Sequence, residues 1–264
     1  MTSSGGAAPS PPSYLRSISQ ERGKLSERVP TGVDKLDTLI GGGFSRGNIV
    51  LLTGYPGSGK TILSAKFIYE GATRYGEPGV YACFAESKKT FMREMNKFGW
   101  DFEALAHESN FAILDLSIAA DIDIQSSLNT IMEAVMKIHA RRLVIDSITA
   151  LSVGLKSRLE KRQLIRLLYK LVQKVDCTTI MITDMPWGTE RIGEDIEEFI
   201  VDGIILLQGR YDETGLLRRQ LRVLKMRETE HALGTFEYKI EKSGIEIDTA
   251  PRVRSRPRTG GRRE

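Results

Sequence analysis

Short apolar runs that fit buried strands alternate with helical patterns through the middle of the chain. The strand candidates are closed by turn-forming residues and cover 48–53, 79–84, 111–116, 142–146, 178–184 and 202–207. Apolar residues recur at helical spacing between them, over 61–75, 89–98, 124–140 and 161–174. Strands that alternate with helices form a mostly parallel sheet with helices on both faces, so the predicted fold class is α/β.

The pattern changes after residue 207, where helical periodicity stops and strand follows strand. The candidates are 203–208, 217–227, 235–240 and 244–247. Strands joined by short turns pair in antiparallel fashion. The C-terminal part is therefore predicted to be an antiparallel extension at the edge of the parallel sheet.

Both ends of the chain lack the apolar residues that a core requires. Residues 1–13 are mainly Ser, Gly, Ala and Pro, so we interpret 1–27 as a flexible leader and linker. Residues 249–264 contain six arginines against one glutamate, and we expect this tail to be disordered. The whole chain has 38 basic and 34 acidic residues, so the tail accounts for the basic excess. A single, nearly neutral domain is predicted over 28–248.

Composition also limits where the protein works and what it binds. No apolar stretch is long enough to cross a membrane, and the N-terminus lacks a signal-peptide pattern, so we expect a soluble, cytoplasmic protein. Cys83 and Cys177 both lie in apolar runs, which is typical of small buried hydrophobic residues rather than of a disulfide or a metal site.

Residues 54–61 read GYPGSGKT and match the phosphate-binding motif G-x-x-x-x-G-K-[ST] at every position. The motif follows a predicted strand and opens a predicted helix, which is the context that a phosphate loop requires. Lys60 is expected to reach the β- and γ-phosphates of ATP or a similar nucleotide, and the Thr61 hydroxyl to bind Mg²⁺. The tight turn and its backbone N–H groups are expected to come from Gly54, Pro56, Gly57, Ser58 and Gly59.

Two carboxylates follow predicted strands and are candidates for the same site. Asp146 ends the apolar run 142–146, where it can orient Mg²⁺; the alternative is an ordinary strand that ends in an aspartate at a turn. Glu86 follows the strand 79–84 and can position the water that attacks the γ-phosphate. A solvated glutamate at a helix N-terminus explains Glu86 equally well, because the helix dipole favours an acidic residue there.

Several segments, taken in order, resemble the KaiC-like branch of the RecA superfamily, which includes archaeal RadA-type paralogues. They are RVPTGVDKLD at 28–37, GGGF at 41–44, the phosphate loop, EPGV at 77–80, FGWD at 98–101 and KMRETEH at 225–231. The resemblance covers about 28–248. It implies a RecA-like ATPase core that assembles into a homo-oligomeric ring or filament, with ATP held between neighbouring subunits.

The resemblance also gives a role to the segment 225–231. In KaiC-like proteins, a Lys-x-Arg pair at the positions of Lys225 and Arg227 approaches the γ-phosphate bound by the adjacent subunit. Both side chains lie on one face of a strand by the two-residue period. Thr229 and His231 match positions that contact the nucleotide in the family. The alternative for the basic pair is a solvated edge strand.

Two departures from the family pattern bear on activity. KaiC domains generally carry two adjacent glutamates where this chain has Ala85 and Glu86. KaiC itself is a tandem of two such domains, and this chain has one, without a counterpart of the autophosphorylation segment. Hydrolysis is therefore expected to be slow, and the alternative function is a nucleotide-dependent assembly or signalling module with little or no turnover.

Single-stranded DNA is a further candidate ligand, in recombination or repair. RecA relatives bind single strands through central loops, which correspond here to 153–161 and 185–196. The first loop carries three basic residues, and the second holds one aromatic residue, Trp187. The arginine tail can hold phosphates without sequence preference, or it serves only to keep the protein in solution.

Overall fold

The fold was analysed in a computed structural model, which describes residues 27–117, 124–153, 155, 157–189 and 200–248. The predicted leader, the arginine tail and the second part of the predicted loop 185–196 lie outside these residues. The strands are β1 (Arg28–Val29), β2 (Phe44–Ser45), β3 (Ile49–Gly54), β4 (Gly79–Cys83), β5 (Phe111–Asp115), β6 (Arg142–Asp146), β7 (Thr178–Asp184), β8 (Gly203–Tyr211), β9 (Leu217–Met226), β10 (Phe236–Glu241) and β11 (Gly244–Ile247). The helices are α1 (Asp34–Leu39), α2 (Lys60–Arg74), α3 (Lys88–Asn96), α4 (Phe102–His107), α5 (Ile124–Lys137), α6 (Ile148–Leu151) and α7 (Arg158–Val175).

A nine-stranded sheet forms the centre of the molecule, in the order β11-β10-β9-β8-β3-β7-β6-β4-β5. The strands from β8 to β5 pair in parallel, whereas β8, β9, β10 and β11 pair with one another antiparallel. The predicted α/β class and the antiparallel extension at the edge are thus confirmed.

Two apolar cores lie on opposite faces of this sheet, as the alternation along β3 shows. Val50 and Leu52 pack into one core with residues of α1, α2, α3 and α4, while Ile49 and Leu51 pack into the other with α5, α6 and α7. All six residues of β3 are buried. A strand covered on both faces needs apolar residues at every position, which explains the continuous apolar run in the sequence.

The antiparallel extension folds back over the N-terminus of α2. Methyl groups of Ile240 and Ile245 lie closest to Gly59, and the Lys66 ammonium donates to the carbonyl of Ser243 at 2.8 Å. The last hairpin therefore packs directly against the phosphate loop, a long-range contact that no local pattern predicts.

The structure differs from the sequence prediction in the loop 153–161, in several short elements, among them β1 and β2, and in the ends of β8 and β9. Helix α7 begins at Arg158 rather than at residue 161, because Ser157 and Glu160 form a capping box, so the end of the predicted loop 153–161 is helical. Helices α1, α4 and α6 were not predicted, because four to six residues are too few to establish a period. Strand β9 ends one residue earlier than predicted, at Met226.

The structure also bears on the expectations drawn from composition. Cys83 and Cys177 are buried free thiols, as predicted. Among the described residues, no helix is long and apolar enough to cross a membrane, and no group of three or more His, Cys, Asp or Glu side chains is placed to hold a metal ion.

Candidate functional site

The loop from Gly54 to Thr61 joins the C-terminal end of β3 to the start of α2, as the motif requires. Glycine is needed here for two different reasons. A Cβ on Gly54 would lie 2.1 Å from the backbone oxygen of Leu207, so no larger residue fits between β3 and β8. Gly57 and Gly59 have φ of 75° and 91°, which residues with a side chain rarely adopt. Pro56 and Gly57 are exposed at the tip of the loop.

Ser58 contacts the antiparallel extension through its backbone carbonyl. The Tyr238 hydroxyl donates to the Ser58 carbonyl oxygen, and burial raises the pKa of Tyr238, so the phenol keeps its proton. The buried Ser58 hydroxyl has no hydrogen-bond partner among the described residues and lies close to Gly54. A buried hydroxyl without a partner is costly, so this group suits a ligand with oxygen acceptors.

The Lys60 side chain is 8% exposed, and its ammonium has three partners that match its three donors. It donates to the carbonyl oxygens of Gly54 and Tyr55 at 2.9 and 3.1 Å, and lies 3.0 Å from a carboxylate oxygen of Asp184. The contacts to the loop's own backbone hold the ammonium inside the turn.

Thr61 and Asp146 come together at the mouth of this loop. The Thr61 hydroxyl donates to Oδ2 of Asp146 at 3.1 Å, and the Tyr81 hydroxyl donates to the same oxygen at 2.6 Å. Burial raises the pKa of Asp146, while the two hydrogen bonds favour its charged form. A hydroxyl and a carboxylate are hard oxygen donors of the kind that Mg²⁺ prefers, so this pair fits the ion.

Glu86 lies two residues beyond Phe84, whose backbone N–H donates to the Asp146 carbonyl at 2.6 Å. This bond joins the C-terminal ends of β4 and β6. The Glu86 side chain is half-buried, and burial raises its pKa to about 7, with smaller contributions from the negative charges of Glu94 and Asp146. A carboxylate with a pKa near neutral, close enough to Asp146 to feel its charge, is suited to act as a general base.

The raised pKa of Glu86 makes a prediction for the pH dependence of hydrolysis. A general base acts in its charged form, so kcat/KM for ATP should rise about tenfold per pH unit below pH 7 and level off above it. Phosphate groups also titrate near this pH. The binding of Mg-ATP is therefore measured over the same pH range, so that its pH dependence can be separated from that of catalysis. In the Glu86→Gln variant the residual activity should follow only the binding curve. A wild-type kcat/KM that is flat from pH 5.5 to 8 would contradict this role.

Lys225 and Arg227 lie toward the N-terminal ends of the parallel strands, whereas the phosphate loop of their own chain follows the C-terminal end of β3. Lys225 in β9 pairs with Ile204 in β8, and Ile204 pairs with Leu51 in β3. Leu51 precedes Gly54 by three residues, so the backbone of Lys225 lies about 10 Å from the level of Gly54, measured along the strands. The Lys225 ammonium donates to the carbonyl of Val201 at 2.6 Å, farther still from the loop.

Arg227 follows the end of β9 and contacts the same segment as Lys225. Its guanidinium donates to the Asp202 carboxylate at 3.1 Å, and about half of its side chain is exposed. The two basic groups contact successive residues, but Arg227 lies one residue beyond the end of β9, so the two-residue period of a strand does not apply to this pair. Both groups are directed away from Thr61 and Asp146 of their own chain.

Thr229 and His231 lie against the N-terminal part of the domain. The Arg28 guanidinium donates to the Thr229 hydroxyl at 2.7 Å. Nε2 of His231 is buried without a hydrogen-bond partner among the described residues. The bond between Arg28 and Thr229 connects the segment 225–231 to the β1–β2 hairpin.

Three residues of the site were missed by the sequence analysis. Asp184 ends β7 as Asp146 ends β6; its carboxylate contacts Lys60 and also accepts from the Ser147 hydroxyl at 3.0 Å, so the strand-end signal that found Asp146 could have found it. Tyr81 lies inside β4, where its apolar neighbours gave no sign of a polar role. Tyr238 is far away in sequence and reaches the loop only through the fold.

An aromatic pair joins the phosphate loop to the segment after β7. The rings of Tyr55 and Trp187 are stacked with centroids 4.7 Å apart, and the Tyr55 hydroxyl donates to the carbonyl of Thr189 at 3.0 Å. Trp187 is 50% exposed. The start of the predicted loop 185–196 is therefore in direct contact with the nucleotide site.

Comparisons with known proteins give relatives that match most of the chain. The chain is 34% identical over 234 residues to the UPF0273 protein MJ1359 of Methanocaldococcus jannaschii, covering 83% of this chain and 95% of the relative. It is 30% identical over 236 residues to the circadian clock oscillator protein KaiC of Prochlorococcus marinus, covering 84% of this chain but 46% of that protein. The chain thus spans about half the length of the KaiC proteins that it matches.

A solved structure and a family model match most of the domain. The crystal structure of a KaiC-like protein from Pyrococcus horikoshii superposes with a TM-score of 0.77 at 38% identity, covering 84% of this chain and 99% of the other. The family model described as "ATPase: KaiC" matches residues 29–252. Together with the phosphate loop and the RecA-like sheet, these matches establish that the chain belongs to the KaiC ATPase family.

Proposed function

We propose that this KaiC-family chain hydrolyses ATP with Mg²⁺ at a site that two copies complete together. The observation that carries the proposal is the division of the functional groups between two ends of the sheet. Lys60, Thr61, Asp146 and Glu86 meet at the C-terminal ends of the parallel strands, where α/β proteins bind their ligands. Lys225 and Arg227 lie at the opposite end and can serve only the nucleotide of a neighbour in a ring or filament.

The roles of the residues follow from their positions. The phosphate loop and Lys60 hold the β- and γ-phosphates, and Thr61 and Asp146 hold Mg²⁺, which neutralises phosphate charge when bound. Glu86 accepts a proton from the attacking water as the oxygen approaches the γ-phosphate. Arg227 and Lys225 of the neighbour stabilise the charge that develops on the transferred group. Thr229 and His231 are proposed to place this segment against the neighbour's nucleotide.

Replacing Lys60 by Ala tests the phosphate site itself. Loss of a charged donor to the transferred phosphate should lower kcat/KM for ATP by about 10²-fold or more. Lys137→Ala is the control, because Lys137 is an exposed lysine on α5, which packs on the other face of the sheet from α2. Phosphate release is measured for both variants, with circular dichroism to verify folding. Unchanged turnover in Lys60→Ala would rule out this ATPase site.

The alternative is a module in which nucleotide binding drives assembly or signalling with little or no turnover. Its support is Ala85, which is exposed beside Glu86 where KaiC domains generally carry a second glutamate. Single-turnover measurements separate the two functions. Assembly on adding Mg-ATP without release of phosphate in one turnover would favour the module over the ATPase.

Binding of single-stranded DNA is a second proposed function. Its support is Trp187, a half-exposed aromatic ring of the kind on which bases stack, in contact with the phosphate loop through Tyr55. This contact would couple DNA to the nucleotide, as expected for a role in recombination or repair.

A further inference from the structure

Positive charge is concentrated on helix α7, although the chain without its tail is nearly neutral. The helix carries six basic residues and one acidic residue, Glu160. Glu160 is part of the capping box with Ser157 at the start of the helix, so its charge lies at one end. Most of the helix therefore has basic side chains with no acidic residue between them.

The basic residues form a row along the outward face of α7, which winds by about a third of a turn because 3.6 residues make one turn of the helix. Arg162, Arg166, Lys170 and Lys174 are all exposed and recur every fourth residue, a spacing that puts them on one face of a helix. The opposite face is apolar and packs into the core through Leu164, Leu168 and Val172. From Arg162 to Lys174 the row is about 18 Å long, at a rise of 1.5 Å per residue.

The charges of these four side chains are not neutralised by ion pairs within the part of the chain that the structure describes. Like charges four residues apart on a helix repel each other and destabilise it. A row of this kind gains stability when an anionic partner lies along it.

We propose that the outward face of α7 binds the phosphate backbone of single-stranded nucleic acid. A narrow row of charge fits a linear polyanion, and the arginine forks of Arg162 and Arg166 match phosphate oxygens. A membrane surface would require a broad exposed apolar face, whereas the apolar face of α7 is buried. This inference deepens the second function proposed above, because it assigns that function a surface that begins where the predicted loop 153–161 ends.

The test is the salt dependence of binding to fluorescent oligo-dT, measured by anisotropy with the full chain. In the test variant, Arg162, Arg166, Lys170 and Lys174 are all replaced by Gln, which preserves helix propensity. The slope of log K against log salt should fall by about 3, from about 0.7 for each lost phosphate contact. At 50 mM salt the affinity should fall at least tenfold. The tail arginines are present in the wild type and in every variant, so their contribution to the affinity cancels when these are compared.

A matched control carries Gln at Lys35, Lys97, Lys239 and Lys242, which are exposed on other surfaces. It loses the same net charge but should keep the slope within about 1 of the wild type. Equal losses in the two variants would reduce the effect to net charge and overturn the inference. A further variant with Lys at positions 162 and 166 keeps the charge and should retain most of the affinity, which guards against a folding defect in the Gln variant.

The remaining outcomes distinguish this inference from the functions on which it rests. Normal DNA binding by the α7 variant would overturn the inference alone. No binding by the wild type at low salt would overturn both it and the DNA function, and would leave the ATPase to be judged by Lys60→Ala. Two further outcomes, each with DNA binding intact, would show that the inference is wrong. Loss of binding to phosphatidylserine vesicles would make α7 a membrane contact, and a changed oligomeric mass would make it a subunit contact.

Discussion

Replacing Arg227 by Ala is expected to slow ATP hydrolysis by at least about 10³-fold while Mg-ATP binding remains, because arginine fingers contribute 10³- to 10⁵-fold to phosphoryl transfer. Its guanidinium lies near the opposite end of the parallel strands from its own phosphate loop, so in the proposed assembly it would act only on the neighbour's site. Lys225→Ala should have a smaller effect in the same direction. Single-turnover hydrolysis and equilibrium binding of nucleotide are the two measurements.

Arg227 also has a structural contact, which the controls must separate from catalysis. Its guanidinium contacts Asp202, and another oxygen of the same carboxylate accepts from the backbone N–H of Ile49. Arg222→Ala is the matched control, because Arg222 is exposed on the same strand. It should keep wild-type turnover. If Arg227→Ala lowered thermal stability and nucleotide binding as much as turnover, its role would be structural.

The Glu86→Gln variant is expected to lose about 10²- to 10⁴-fold in kcat, the contribution of a positioned general base, while still binding Mg-ATP. The amide keeps the size of the side chain but cannot accept the proton from water. Because the carboxylate is half-buried near Asp146, removing its charge should not weaken the fold. The variant is therefore expected to trap ATP in the assembled state.

Glu94 provides the control for this second prediction. Burial is the largest cause of the raised pKa of Glu86, and the negative charge of Glu94 is the second. Glu94→Gln should retain kcat at pH 8 and shift the rise of kcat/KM to lower pH, since one source of repulsion is removed. Wild-type hydrolysis by Glu86→Gln would show that another group activates the water, and Ala85 would then be irrelevant to the rate.

The sequence predicted the features that depend on local chemistry. The phosphate loop needs glycine at particular backbone angles, and β3 needs apolar residues on both faces. Both requirements fall on consecutive residues, so the sequence pattern alone indicates them. The same holds for the antiparallel extension, whose strands follow one another along the chain. Helix ends were less well predicted, since the start of α7 depends on the pair Ser157 and Glu160 rather than on apolar periodicity.

The parts of the site that the sequence did not reveal are contacts between distant elements. The hydroxyl of Tyr81 is linked to that of Ser64 at 3.1 Å and fixes Asp146, yet in sequence it is one apolar position within a strand. Tyr238 reaches Ser58 because the last hairpin folds over α2. Such contacts depend on how elements pack, which single-residue patterns do not encode. The roles proposed for Lys225 and Arg227 would depend further on a second copy of the chain.

The central claim, a catalytic site shared between copies, is tested most directly by mixing two inactive variants. Lys60→Ala subunits lack the phosphate site but keep Arg227, and Arg227→Ala subunits have the reverse defect. In an equal, randomly exchanged mixture, a head-to-tail assembly should recover about a quarter of the wild-type rate per subunit, because one neighbour pair in four has both parts intact. Phosphate release no higher than the mean of the separate variants, in a mixture shown to co-assemble, would contradict the shared site.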